Sequence, residues 1–187
     1  MLIPTALRRS RPPWLTAPNG VSLGRVAAIP LILVLLAIPD PAARWGAALV
    51  FALAAASDAL DGYLARHQAS STPLGAALDL MADKLLVAAV LITLVDRQQI
   101  AGWAAIVIIA RELLVSSIRT YAAGRGVAVP VQWPGKIKTA VTCVAIIAAI
   151  LALPGASLLM AVAAVLTVVS AWPYLVAGAR VMALPAR

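Results

Sequence analysis

The sequence predicts an all-α integral membrane protein, a bundle of six transmembrane helices, on three observations. Of its 187 residues, 63% are hydrophobic and 12% charged, whereas a soluble domain carries roughly a quarter charged residues. Its mean hydropathy is +0.99. Apolar runs of roughly 20 residues, the length a helix needs to cross a hydrocarbon core, follow one another with short polar links between them.

Met1 to Ala17 mixes Leu2, Ile3, Leu7, Trp14 and Leu15 with Arg8, Arg9 and Arg11. This stretch, residues 1–17, reads as a juxtamembrane arm, an interfacial amphipathic helix interrupted at Pro12 and Pro13, with a disordered tail as the alternative. A secretory signal centred on Val26 to Ile38 is set aside, because the segments after it are equally apolar. Residues 18–187 form the membrane domain. Its spans are expected near Val21 to Pro39, Arg44 to Ala65, Leu74 to Val95, Ile100 to Ala123, Gly135 to Leu153 and Ser157 to Ala179. Short links such as Pro39 to Ala43 and Asp96 to Gln99 favour antiparallel neighbours. Pro30 and Pro173 fall inside expected spans as sites for kinks.

The bases are distributed unevenly. Arg8, Arg9, Arg11, Arg66, Arg119, Arg125, Lys136, Lys138, Arg180 and Arg187 gather at one side of this arrangement, and only Arg44 and Arg97 lie in the loops of the other. The positive-inside bias then makes both termini cytoplasmic. The net charge of +8 does not point to nucleic acid, because the bases form no single solvated block interleaved with exposed aromatics. They flank apolar segments, where anionic headgroups or phosphorylated substrates are the natural partners. Trp14, Trp45, Trp103, Trp133 and Trp172 lie near expected helix ends, as interfacial anchors do. The single cysteine, Cys143, cannot form an intrachain disulfide and sits in an apolar run. His67, the single histidine, cannot build a histidine-rich metal site.

The acids carry the chemistry. Asp40 and Asp96 fall in loops, but Asp58, Asp61, Asp79, Asp83 and Glu112 lie at or within expected spans. Asp58 and Asp61 are i,i+3 and Asp79 and Asp83 are i,i+4, so on helices each pair shares a face. The insertion cost of an aspartate at a helix centre is about 2.5 to 3.5 kcal/mol, and four uncompensated carboxylates at one place are improbable. Protonation, as in a proton relay, or divalent cations bound by hard carboxylate oxygens would compensate. Lys84 supplies one local counter-charge. Gly62 and Gly75, where a ligand can approach the backbone closely, and Arg66, able to hold a phosphate, favour a metal site with a substrate. Arg111 and Arg119 are eight apart and near one helical face, whereas Glu112 is not expected to share that face with Arg111 and reads as orienting a neighbouring base or helix.

The array Asp58-x-x-Asp61-Gly62-x-x-Ala65-Arg66, eight residues, then Gly75-x-x-x-Asp79-x-x-x-Asp83 resembles the signature of the CDP-alcohol phosphotransferase family at all its fixed positions and spacings. Pro18-Asn19-Gly-Val-Ser-Leu-Gly-Arg25 is similar to that family's entry to its first membrane helix. Ala82-Asp83-Lys84-Leu85, the segment from Ala110-Arg111-Glu112 to Arg119, and Gly135-Lys136-Ile-Lys138-Thr139 resemble the phosphatidylglycerophosphate synthase branch. Leu80 and Thr142 depart from residues common in that branch, and the last two helices carry no comparable pattern.

The resemblance implies transfer of the phosphatidyl group from CDP-diacylglycerol to an alcohol, with release of CMP and with two divalent cations, Mg²⁺ or Mn²⁺. By carry-over, Asp58, Asp61, Asp79 and Asp83 are the metal ligands, and Asp83 is also the catalytic general base. Asn19, Arg25, Gly62, Ala65, Arg66 and Gly75 accommodate the CDP group. Arg111, Arg119, Lys136 and Lys138 are candidates for an acceptor phosphate, whose geometry suits guanidinium and ammonium donors. Glycerol 3-phosphate is the expected acceptor. Inositol phosphate, phosphatidylglycerol or serine are alternatives within the family, and a cation or proton transporter is the alternative outside it. The resemblance also implies a homodimer, and the distribution of bases puts the four aspartates at the cytoplasmic side of what is expected to be a bacterial plasma membrane.

Overall fold

The computed structural model describes residues 17–64, 73–130 and 133–183, with side chains described over 23–57, 81–130 and 133–183. The described residues form seven α-helices and no strand: α1 (Ala17–Ala37), α2 (Pro41–Leu64), α3 (Pro73–Asp96), α4 (Gly102–Gly124), α5 (Trp133–Ile150), α6 (Ala156–Val169) and α7 (Trp172–Met182). The expected N-terminal arm lies outside the described residues, apart from Ala17, which opens α1.

Proline marks where several helices begin. Pro41 and Pro73 are the first residues of α2 and α3, and Pro134 and Pro173 the second of α5 and α7. A proline costs nothing in a first turn, where its missing N–H would have had no partner. Pro30, by contrast, lies inside α1, which runs on to Ala37.

The last expected span is corrected by the structure. Ser157 to Ala179 reads as one helix in the sequence, yet α6 stops at Val169 and α7 starts at Trp172. Pro173 explains the break: it has no N–H for the carbonyl of Val169, four residues back, and its ring would collide with that carbonyl. The chain turns through Ser170 and Ala171, and the Tyr174 N–H donates to Ala171 O at 2.9 Å.

Apolar side chains fill one half of the bundle: Ile32 and Leu36 of α1, Phe51 of α2, Leu91 and Leu94 of α3, Ile108 of α4, Ile146 and Ile150 of α5, and Met160 of α6. Small residues let the backbones come close. Ala47, Ala104, Ala145 and Ala163 are buried in this core. At the α4–α7 contact Gly178 is so close to α4 that a Cβ there would lie 2.9 Å from Ile118 Cγ2.

The outer surface is apolar too. Val34, Leu49, Leu53, Ile92, Ile106, Leu158, Val165 and Val169 are all exposed. An exterior this apolar belongs in contact with another apolar phase. Among the described residues two segments, Trp133–Ile150 and Ala156–Met182, are long and apolar enough to cross a membrane, the second spanning the α6–α7 break. Leu23–Ala37 and Pro41–Ser57 are shorter apolar helices.

Candidate active site

The signature carboxylates lie on two helices. Helix α2 runs unbroken through positions 58, 61 and 62, and α3 through 75, 79 and 83. The i,i+3 and i,i+4 spacings of the acids are therefore spacings along continuous helix. The side chains of Asn19, Asp58, Asp61, Gly62, Gly75 and Asp79 are outside the described side chains, and Ala65, Arg66 and His67 are outside the described residues.

Asp83 is described, and it lines a cavity of about 520 Å³. The walls come from the middle of α3, the middle of α4 and the first half of α5, with Ala55 of α2 and Tyr174 of α7. The cavity adjoins the apolar core, since Leu86 and Ile108 belong to both. Of the four bases expected at an acceptor phosphate, Arg111, Arg119 and Lys138 line this cavity, and Lys136 does not. Helix geometry separates the two lysines, since residues two apart point to nearly opposite sides. Lys138 is buried, while Lys136 is exposed.

Within the cavity wall, Glu112 collects cations from three helices. Lys138 Nζ of α5 donates to Glu112 Oε1. Arg111 Nη1 of α4 donates to the same oxygen at 3.3 Å, and Lys84 Nζ of α3 stands 3.7 Å from Oε2. Glu112 thus orients neighbouring bases, as its sequence position leads one to expect. Arg111 and Glu112 are adjacent and their Cβ atoms diverge, yet their long side chains meet.

Arg111 is also tied to the helix break. Its Nη2 donates to Ser170 Oγ at 3.1 Å and to Ser170 O at 3.4 Å, and its guanidinium carbon lies 5.6 Å from the centre of the Tyr174 ring. Both terminal nitrogens of Arg111 are therefore engaged by protein groups. Read from the sequence, Lys84 is only a counter-charge to the signature carboxylates, and the Arg111–Ser170 brace has no part in the sequence-based site. The signal for Lys84 was nevertheless present: Glu112 is an acid inside an apolar run, and such a group needs cations around it.

Arg25 lies elsewhere. It is buried in a groove of about 300 Å³ between α1 and α2, lined also by Gly24 and Ser57. Arg25 Nε donates to Ser57 Oγ at 3.2 Å, and Ser57 Oγ donates to Ala54 O at 2.8 Å. It is not part of the wall of the larger cavity.

Among the described residues no group of three or more His, Cys, Asp or Glu side chains is gathered as a metal site. The donor set that could hold one is the signature itself. Its only ligand atoms are carboxylate oxygens, hard donors suited to Mg²⁺ or Mn²⁺, and the one described member, Asp83, faces an open cavity. The residues present fit divalent cations of that class.

Residues 15–169 match the family model for CDP-alcohol phosphatidyltransferase. The chain is 37% identical over 177 residues to the CDP-diacylglycerol–glycerol-3-phosphate 3-phosphatidyltransferase of Bacillus subtilis, covering 84% of this chain and 92% of that protein. It is 39% identical over 134 residues to the enzyme of the same name in Escherichia coli K12, covering 69% and 73%. It is 40% identical over 143 residues to a cardiolipin synthase (CMP-forming) of Oryza sativa, covering 69% of this chain and 44% of that protein. With the match running from the first helix to the end of α6, the chain belongs to the CDP-alcohol phosphatidyltransferase family.

Proposed function

We propose that the protein transfers the phosphatidyl group of CDP-diacylglycerol to glycerol 3-phosphate, giving phosphatidylglycerophosphate and CMP. The observation that carries this reading is one cavity lined by both a signature carboxylate, Asp83, and the bases Arg119 and Lys138. A carboxylate that accepts a proton and cations that hold a phosphate are what a phosphorylated alcohol needs. The names of the bacterial relatives support the same acceptor.

In this reading Asp58, Asp61, Asp79 and Asp83 hold two divalent cations, Mg²⁺ or Mn²⁺, and Asn19, Arg25, Gly62, Ala65, Arg66 and Gly75 accommodate the CDP group. When bound, the cations supply Lewis-acid stabilisation of the charge on the pyrophosphate and the leaving CMP. Lys138 and Arg119 hold the acceptor's phosphate and so fix its free hydroxyl. Asp83 takes the proton of that hydroxyl as its oxygen bonds to the phosphorus carrying the diacylglycerol, and the bond from that phosphorus to CMP breaks. Arg111 keeps the wall of the cavity in place, and Lys136 stands outside it.

The chain is assigned six membrane crossings, with α6 and α7 together as the last. Both termini and the cavity are assigned to the cytoplasmic side of a bacterial plasma membrane, where glycerol 3-phosphate and CMP are soluble and the lipid tails stay in the bilayer. Support comes from the apolar exterior and the bias of bases to one side. A homodimer is part of the same assignment. The 1–17 arm is a juxtamembrane segment and 18–187 the catalytic domain.

The test is CMP release by the purified protein with CDP-diacylglycerol and a panel of acceptors. Glycerol 3-phosphate should give turnover, and chelation of divalent cations should abolish it. The similarity to a cardiolipin synthase makes phosphatidylglycerol the second acceptor to try. Release with phosphatidylglycerol and none with glycerol 3-phosphate would replace the first reading with the second.

A further inference from the structure

Glu112 is the one acid in the cavity wall outside the carboxylate signature, and its surroundings are unusual. Three cations converge on it from three helices: Lys84 of α3, Arg111 of α4 and Lys138 of α5. The two carboxylate oxygens divide them, Oε1 taking Arg111 and Lys138 and Oε2 taking Lys84. Lys138 is 4% exposed, and a buried ammonium needs a fixed counter-charge. Without Glu112 the three cations would also repel one another across the wall.

The donors left over show what the cluster offers. Arg111 gives Nη1 to Glu112 and Nη2 to Ser170, and its Nε is buried with no hydrogen-bond partner among the described residues. An ammonium has three donors, so the two lysines each bring more N–H groups than one carboxylate oxygen uses. Both lysines line the cavity, and each is anchored through the same side chain.

Resting on the proposed acceptor chemistry, we propose that Glu112 is a positioning residue that sets Lys84 and Lys138 as a paired ammonium cradle for the acceptor's phosphate. The carboxylate offsets the repulsion between the two lysines and fixes their spacing before the acceptor arrives. The phosphate then meets donors already in place, which is where preorganisation raises affinity. Lys84 thereby becomes an acceptor-binding residue, although it follows Asp83 directly in the chain. An acceptor without a phosphate gains nothing from the cradle, and the CDP group is assigned to other residues, so Glu112 acts on the acceptor and not on the CDP-lipid.

The full-length enzyme in detergent or vesicles tests this through separate titrations of CDP-diacylglycerol and glycerol 3-phosphate. Glu112→Gln should raise KM for glycerol 3-phosphate tenfold or more, with KM for CDP-diacylglycerol within twofold of wild type. Glu112→Asp, which keeps the charge, should recover most of that loss. Because Glu112 acts through Lys138, Glu112→Gln combined with Lys138→Met should raise the acceptor KM far less than the product of the single effects. If the Gln variant does not fold, Lys84→Met decides, and it should raise the acceptor KM severalfold without shifting the lipid KM. An unchanged acceptor KM, equal changes in both KM values, or multiplicative single effects would overturn the proposal. A wild type that releases no CMP with glycerol 3-phosphate overturns the functional reading beneath it. Wild-type turnover with an unshifted variant overturns the role of Glu112 alone.

Discussion

Arg111 in the middle of α4 and Ser170 in the α6–α7 break are joined by a hydrogen bond of 3.1 Å from Nη2 to Oγ. A second contact, 3.4 Å long, reaches the Ser170 carbonyl. The break frees backbone acceptors that an unbroken helix would pair internally, and a buried guanidinium meets one of them. The same arginine touches Glu112, so one side chain joins the helix break to the acid in the cavity wall.

Ser170→Ala should therefore destabilise the protein by about 1.5 to 3 kcal/mol, the range for a hydrogen bond to a charged group. Arg111→Lys should cost at least as much, because an ammonium cannot reproduce the fork that spans Ser170 and Glu112. Thermal unfolding in detergent micelles measures both. A Ser170→Ala midpoint equal to wild type would mean the contact contributes nothing.

Asp83→Asn keeps the shape of the side chain and removes its capacity to accept a proton. Turnover should fall by about 10² to 10⁴, the usual contribution of a general base, and by more if metal binding is weakened as well. Binding of CDP-diacylglycerol, followed by equilibrium titration, should be largely retained. Near-normal turnover at saturating Mg²⁺ would remove Asp83 from the role of base.

The two lysines of Gly135-Lys136-Ile137-Lys138 should behave differently. Lys138 is buried in the cavity wall and Lys136 is exposed outside it. Lys138→Ala should raise KM for glycerol 3-phosphate by about tenfold or more, the loss of one charge-assisted contact. Lys136→Ala should change it less than about threefold, as expected of a solvated charge. Equal effects would show that the cavity wall is not where the phosphate sits.

Gly178→Ala places a methyl group 2.9 Å from Ile118 Cγ2. Forcing a side chain into packed space costs about 1 to 3 kcal/mol, so the variant should unfold at lower temperature. Ile118→Ala in the same chain removes the colliding atoms and should recover part of the loss. Two losses that simply add would mean that the pair does not touch.

Much of this protein was legible in the sequence because it depends on local rules. Apolar runs and short links were enough to place the helices, with Pro173 read as a kink site within a single last span. Asp58, Asp61, Asp79 and Asp83 could be picked out because helical spacing is a property of neighbours in the chain, and the resemblance they carry agrees with the family match over residues 15–169. The cost of an acid in an apolar segment likewise marked Glu112 as a residue needing partners.

Which partners it has is a different kind of fact. Lys138 lies 26 residues from Glu112, and Ser170 lies 59 from Arg111. Composition and periodicity act within a few turns and carry no record of which faces of distant helices will meet. The sequence by itself determined the helices and where its signature carboxylates sit along them. Only the packing of α3, α4, α5 and the broken α6–α7 pair decided that Lys84 and Lys138 share one carboxylate, that Arg111 is spent as a brace, and that Lys136 faces away. The physical reason is that burial selects pairings by contact in three dimensions, and a buried charge is stable only where another helix brings its counter-charge.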